Sequence, residues 1–179
     1  MLEAADYRST LFEKFVKDVE RLGAGGRILD LGPATPVGLN FWAGRGFSVS
    51  VCDLVTCGVD DGADFDFGAA DLSGVLCWNA LTVLSRERAV ELVAAVRSRL
   101  GRGGSLFAIF DGDGTTVPPA LLYRVSDATH LHLEPAKKDH HSRAVSTFEI
   151  GRLLGAFRPI RVSVMRHGSR EALGQLPTR

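Results

Sequence analysis

The chain has 179 residues, with 21 basic and 21 acidic side chains in balance and 45% hydrophobic residues. That size suits one well-buried domain rather than two. The even charge excludes an overall field that would gather nucleic acid or an anionic membrane, so the partner is expected to bind at a local site. The cysteines, Cys52, Cys57 and Cys77, fit neither a secreted disulfide framework nor a paired-cysteine zinc pattern. Met1 to Asp6 lacks the basic and apolar regions of a signal peptide, and no apolar run reaches membrane-spanning length. A reducing cytoplasm is therefore the expected location, with no membrane partner.

In chain order, a helix is predicted from Thr10 to Leu22, because Leu11, Phe12, Phe15, Val16, Val19 and Leu22 recur at helical spacing. Thr10 with Glu13 makes a capping-box pattern, and Gly23 to Gly26 ends the element. Ile28, Leu29 and Leu31 then form a short apolar run suited to a strand buried on both faces. Gly32 allows a sharp turn and a close ligand approach. Thr35 can cap the following helix, and Pro36 falls at its first position, where a fixed φ and a missing N–H cost little. In the next strand Phe47, Val49 and Val51 share one face, with Ser48, Ser50 and Cys52 on the other. Asp53 emerges at its end, about twenty residues after the turn, where a carboxylate can accept hydrogen bonds from both ribose hydroxyls. Strand, turn, helix and strand in this layout hold a nucleoside at the carboxyl ends of an α/β sheet.

The segment 55–70 is punctuated by glycines and aspartates, so a third strand there would be very short and most of the aspartates are expected in solvated loop. Asp71 to Leu81 is an apolar strand ending at Trp78 and Asn79, and Trp78 reads either as a stacking platform or as a core aromatic. Ser85 caps a helix whose stripe is Ala89, Leu92, Val93, Val96 and Leu100, and Gly101 to Gly104 leads into the strand Ser105 to Phe110. From 111 to 145 the alternation breaks. Asp111 to Gly114 makes a turn, Pro118-Pro119 interrupts any helix, and a short helix is expected over Leu121 to Val125. An insertion of this length reads as a functional lid. Its Lys137, Lys138, His140, His141 and Arg143 suit either an anionic acceptor or plain solvated charge. His130 and His132 share a strand face and could join His140 or His141 on a metal. No carboxylate cluster stands at fixed spacing beside them, so no metal is expected, and Asp111 to Gly114 lacks the remaining ligands of a calcium loop. Ser146 with Glu149 caps a last helix bearing Ile150, Leu153, Leu154 and Phe157. Arg161 to Met165 and Arg170 to Leu176 close the chain as an antiparallel hairpin.

Together these features resemble the class I S-adenosylmethionine-dependent methyltransferases. Asp30-Leu31-Gly32 followed by Asp53 is similar to their first two signature regions, Asp71 to Leu81 to their fourth strand, and the glycine turn before Ser105 to their Leu-x-x-Gly-Gly-x-Leu passage. The first motif is reduced, with Ala34 and Pro36 where Asp/Glu-x-Gly-x-Gly-x-Gly carries its second and third glycines. The resemblance implies one Rossmann-like α/β domain over 1–179, comprising an N-terminal helix within 1–26 and a lid or acceptor-binding insertion at 111–145. It implies a mostly parallel seven-stranded sheet closed by a C-terminal antiparallel hairpin, with helices on both faces.

It also implies S-adenosylmethionine as cofactor and methyl transfer to an unidentified small-molecule acceptor. Gly32, Pro33 and Ala34 would line the methionine and ribose side, Asp30 would support the turn and the amine, Asp53 would hold the ribose, Asp66 and Phe67 would contact the adenine, and Trp78 with Asn79 would border the methyl, with Leu54 and Cys77 also among the cofactor-binding residues. The helix before the first strand would cover the cofactor, with Tyr7 as a ligand contact, or would simply pack on the sheet. No residue stands out as catalytic; His130, His140 or Tyr123 could act as base if the insertion folds inward. Two other readings remain open: a non-catalytic binding or scaffold protein, motivated by the missing glycines, and an NAD-dependent oxidoreductase, which shares the Asp53 logic but needs the third glycine for close helix packing.

Overall fold

A computed structural model describes residues 5–55, 64–68, 71–110, 121–135, 143–165 and 169–178. In chain order the elements are β1 (Ala5–Arg8), α1 (Thr10–Arg21), β2 (Arg27–Asp30), α2 (Pro36–Ala43), β3 (Ser48–Val51), β4 (Leu72–Trp78), α3 (Ala80–Val83) and α4 (Arg86–Arg99). There follow β5 (Leu100–Phe110), β6 (Leu121–Val125), β7 (His130–Pro135), α5 (Thr147–Leu153), β8 (Ile160–Val164) and β9 (Arg170–Gln175).

Six strands form one sheet in the order β3-β2-β4-β5-β9-β8, and the first four run parallel. β9 lies antiparallel to β5 and β8 antiparallel to β9, so the closing hairpin forms where the sequence expects it. Ile28 and Leu29 sit back to back on β2 at 0% and 2% exposure, each in a different core, as a central strand requires. One core, rich in aromatics, packs α1 and α2 on the sheet through Phe12, Phe15, Val16, Trp42 and Phe107. The other packs α4 and α5 on the opposite face through Leu92, Val96, Ile150 and Phe157. Thr35 and Ser85 cap their helices as expected, accepting the backbone N–H of Gly38 and Arg88.

Four expectations need correction. The sheet has six strands among the described residues rather than seven: residues 64–68, between β3 and β4, are not extended into a strand. There Phe65 and Phe67 stack on each other and pack on the core instead, in a stretch whose acidic residues cannot be buried on a sheet edge. Leu121 to Val125 is a strand, not a helix: Tyr123 and Val125 are buried while Arg124 between them is half-exposed, a period of two that five residues scarcely distinguish from a helical turn. The segment 1–26 carries a strand before its helix, because β1 pairs antiparallel with β7, which also pairs antiparallel with β6. The N-terminal arm and the insertion thus build a separate three-stranded sheet, β1-β7-β6. Finally, the cap of α1 is Ser9, whose hydroxyl accepts from Phe12 N–H, while Glu13 pairs with Arg8 and Lys17.

Gly74 on β4 shows how tightly α1 sits on the sheet. A methyl group there would meet Phe15 Cζ and Val19 Cγ2 at 2.8 Å, so Gly74→Ala is expected to cost about 1–3 kcal/mol through overpacking. Urea unfolding checks this. A midpoint at or above the wild-type value would mean that the helix does not press on this strand.

Candidate functional site

The carboxyl ends of the parallel strands meet at Asp30. The backbone there is pinned on both sides, Cys52 N–H donating to Asp30 O at 2.8 Å and Leu31 N–H to Leu76 O at 2.9 Å. The Asp30 carboxyl is 7% exposed, and its Oδ1 accepts from Gly32 N–H at 3.0 Å and from Trp78 Nε1–H at 2.8 Å. Burial pushes its pKa up to about 7, against the pull of the two donors and with a further push from the nearby Asp53 charge.

Trp78 is a core aromatic, the second of its two readings. It is 3% exposed and packs against Phe12 and Phe107 with centroids 6.4 and 5.9 Å away. It also explains Gly32, since a Cβ at that position would lie 2.5 Å from Trp78 Cδ1. The glycine is therefore required by a protein side chain on that side, and Pro33, Ala34 and Thr35, each half-buried, carry the accessible surface of the turn. Asp53 lies just beyond β3, half-buried, with Oδ1 accepting Val55 N–H at 3.0 Å to fix the loop. Asp30, the Gly32 turn and Asp53 thus come together at one sheet edge.

The other expected contacts divide. Cys77 is 1% exposed in the core beneath α4, its thiol pushed up to about 12 by burial, so it lies under the strand end and not on a ligand surface. Asn79, 4% exposed, stands in the left-handed region at φ 54°, which asparagine tolerates. Its carbonyl accepts from the Thr82 N–H and hydroxyl, turning the chain from β4 into α3. Leu54 is buried in the core. Asp66 is exposed and accepts Gly68 N–H, and Phe67 is half-buried beside Phe65.

The candidate bases and lid residues have structural partners. Tyr7 donates to Glu171 Oε1 at 3.1 Å and Tyr123 to Ser169 Oγ at 2.9 Å, so both phenols fasten the small sheet to β9 and its approach. Burial raises the pKa of Tyr7 and Glu171 together, the carboxylate adding to the phenol's shift. His130 opens β7 beside Asp127 of the preceding turn, whose carboxyl is held down at about 2, chiefly by Thr129 N–H. Arg143 donates to Leu84 O and Leu81 O and pairs with Glu149, clamping α3 to α5 rather than facing an acceptor. His140, His141, Lys137, Lys138 and the Asp111 to Gly114 turn lie outside the described residues.

His132 is different: its Nδ1 stands 2.8 Å from Asp6 Oδ1 across the β1–β7 pair. These two, with Arg124, form one wall of a cavity of about 410 Å³ whose other wall is Thr35, Pro36 and Val37 at the start of α2. Asp6 and Arg124 were not singled out in the sequence. The available signal is the alternation Asp6-Tyr7-Arg8, one half-buried aromatic between two exposed charges. A second cavity of about 290 Å³, bordered by Arg86, Val90, Phe148 and Arg152, lies between α4 and α5 on the other face.

No protein-family model and no curated protein matches the chain. Solved structures do. It is similar to an S-adenosylmethionine-dependent methyltransferase from Methanosarcina mazei, at 14% identity over 86% of this chain and 93% of that one, with a TM-score of 0.57. A second, from Clostridium acetobutylicum, matches at 12% identity over 93% and 91%, also at 0.57. The Burkholderia thailandensis 1,6-didemethyltoxoflavin-N1-methyltransferase, solved with 1,6-didemethyltoxoflavin and S-adenosylhomocysteine, matches at 17% identity over 94% of this chain and 79% of that one, again at 0.57. At such identities the likeness establishes the fold: an α/β architecture of the methyltransferase type, here with a six-stranded mixed sheet and an added three-stranded one.

Proposed function

We propose that this chain binds S-adenosylmethionine over the carboxyl ends of β2 and β3 and transfers its methyl group to a small-molecule acceptor. The observation that carries the reading is Asp53, an acid at the end of the strand next to the Gly32 turn, in a fold shared with proteins of that activity. The residues fit the cofactor at its ribose end, where Asp53 would accept from the hydroxyls, and along the half-buried surface of Pro33 and Ala34. Asp30 would act through the turn, because its Oδ1 already accepts from Gly32 and Trp78. Asp66 and Phe67 would border the adenine, and Asn79 the methyl end. The sulfonium supplies an activated methyl group, so the protein's task is alignment and, for some acceptors, removal of a proton.

Thermal stabilisation by S-adenosylhomocysteine but not by NAD is the expected result. Asp53→Ala is expected to weaken S-adenosylhomocysteine about 10- to 100-fold, from the loss of hydrogen bonds to a charged acceptor. Equal affinity in the variant would remove Asp53 from the site. The second reading, a non-catalytic binding or scaffold protein, draws support from the indole packed against Gly32. It would be selected by a folded wild-type chain that binds neither nucleotide.

A further inference from the structure

We propose that the cavity between α2 and the small sheet is the acceptor pocket and takes a small hydroxylated carboxylic acid, Arg124 holding the carboxylate and His132, backed by Asp6, receiving the hydroxyl proton. The inference rests on the methyl-transfer reading and goes beyond it in naming the acceptor class and the base. Its first support is place. Thr35 closes the Gly32 turn, caps α2 and lines the cavity, so the turn assigned to the cofactor and the wall of this pocket are one piece of chain. The small sheet supplies the opposite wall, and it is anchored on the main sheet by the Tyr7 and Tyr123 hydrogen bonds.

The second support is chemistry. Asp6, His132 and Arg124 are direct cross-strand neighbours on β1, β7 and β6, which sets carboxylate, imidazole and guanidinium in one row facing the cavity. Pro36, Val37 and Val125 are apolar and suit the body of a ring or short chain. A planar guanidinium favours a carboxylate through two parallel hydrogen bonds. With Nδ1 of His132 directed to Asp6, the Nδ1–H tautomer leaves Nε2 to accept a proton. Among the described residues, Arg8 nearby is paired with Glu13 and His130 is held by Asp127, while the lining residues of α2 are uncharged. In the reaction the acceptor oxygen bonds to the methyl carbon as the carbon–sulfur bond breaks and its electron pair passes to sulfur. The hydroxyl proton moves to His132 Nε2, and the Asp6 carboxylate balances the imidazolium.

The test is calorimetric titration of 2-, 3- and 4-hydroxybenzoate, with phenol as control, into the full chain saturated with S-adenosylhomocysteine, repeated on Arg124→Gln and His132→Gln. Alongside it, methyl ether formation from S-adenosylmethionine is followed by mass spectrometry. A hydroxybenzoate is expected to bind, phenol to bind far less, and Arg124→Gln to weaken the acid about 10-fold or more. His132→Gln is expected to bind within about threefold of wild type while losing about 100-fold or more of the methylation rate, with S-adenosylhomocysteine affinity unchanged in both variants. If S-adenosylhomocysteine binds and no hydroxybenzoate does, or Arg124→Gln binds it equally, the pocket assignment is overturned and the cofactor reading stands. If a hydroxybenzoate binds through Arg124 but S-adenosylhomocysteine does not bind, the acceptor role falls together with the methyl-transfer reading.

Discussion

Trp78→Ala is expected to lower the unfolding free energy by about 4 kcal/mol, within the range for deleting a fully buried aromatic. The indole is 3% exposed, touches Phe12 and Phe107 and donates to Asp30, so its removal leaves a cavity and strips one donor from a buried carboxyl. Against a typical total of about 5–15 kcal/mol, such a loss brings the fold near its limit. A companion variant identifies the cause. Gly32→Ala places a methyl group 2.5 Å from Trp78 Cδ1 and is expected to be costly in the wild-type chain, but less so once Trp78 is alanine, whose retained Cβ still stands 2.9 Å away. Urea unfolding of the four proteins in the cycle gives the coupling energy, expected at roughly 1–3 kcal/mol. Additive losses would show that the indole does not press on the turn. Trp78 and Asp30 thus hold the turn from beneath and fix the shape of its outer surface.

Asp30→Asn is expected to flatten the pH dependence of stability. The carboxyl titrates near 3.8 in the unfolded chain and, raised mainly by burial, at about 7 in the folded one. Between those values the folded protein holds a proton that the unfolded chain has released, so stability falls as the pH rises. The Asp30 contribution is fully present below about pH 4 and is lost as the pH passes through about 7. A shift of this size corresponds to as much as about 4 kcal/mol. Asparagine keeps an oxygen for the Gly32 and Trp78 donors and has no charge to bury, so the difference between variant and wild type is expected to grow in the variant's favour from pH 4 to pH 8. Parallel stability curves over that interval would mean that Asp30 is ionised throughout.

The elements most legible in the sequence were those whose signal is local. Thr35-Pro36, Ser85 and Ser146 each carry a helix start in a few residues, and all three caps form. The apolar β2, β4 and β5 announced a parallel sheet, and the alternation after Arg161 announced the closing hairpin. The small sheet was not legible, because β1 and β6 acquire their strand character from β7, and for β1 that partner lies more than a hundred residues along the chain. The site was half legible. Asp30, Gly32 and Asp53 can be placed from spacing alone. The exclusion of Cys77 from any ligand surface and the choice between the two readings of Trp78 depend on which face of β4 each side chain takes, which only the packing of α1 and α4 decides. Asp6 and Arg124 reach His132 through cross-strand register, a relation with no sequence spacing to betray it.

The central claim is that a sulfonium nucleoside lies between the Gly32 turn and Asp53. Its most direct test is a crystal structure of the full chain grown with S-adenosylhomocysteine. Both ribose hydroxyls are expected within hydrogen-bonding distance of the Asp53 carboxylate, about 2.5–3.2 Å, with the ligand passing over Pro33 and Ala34 and Trp78 still packed beneath. Ligand density elsewhere on the molecule, or ribose hydroxyls bound by other groups while Asp53 faces solvent, would contradict it.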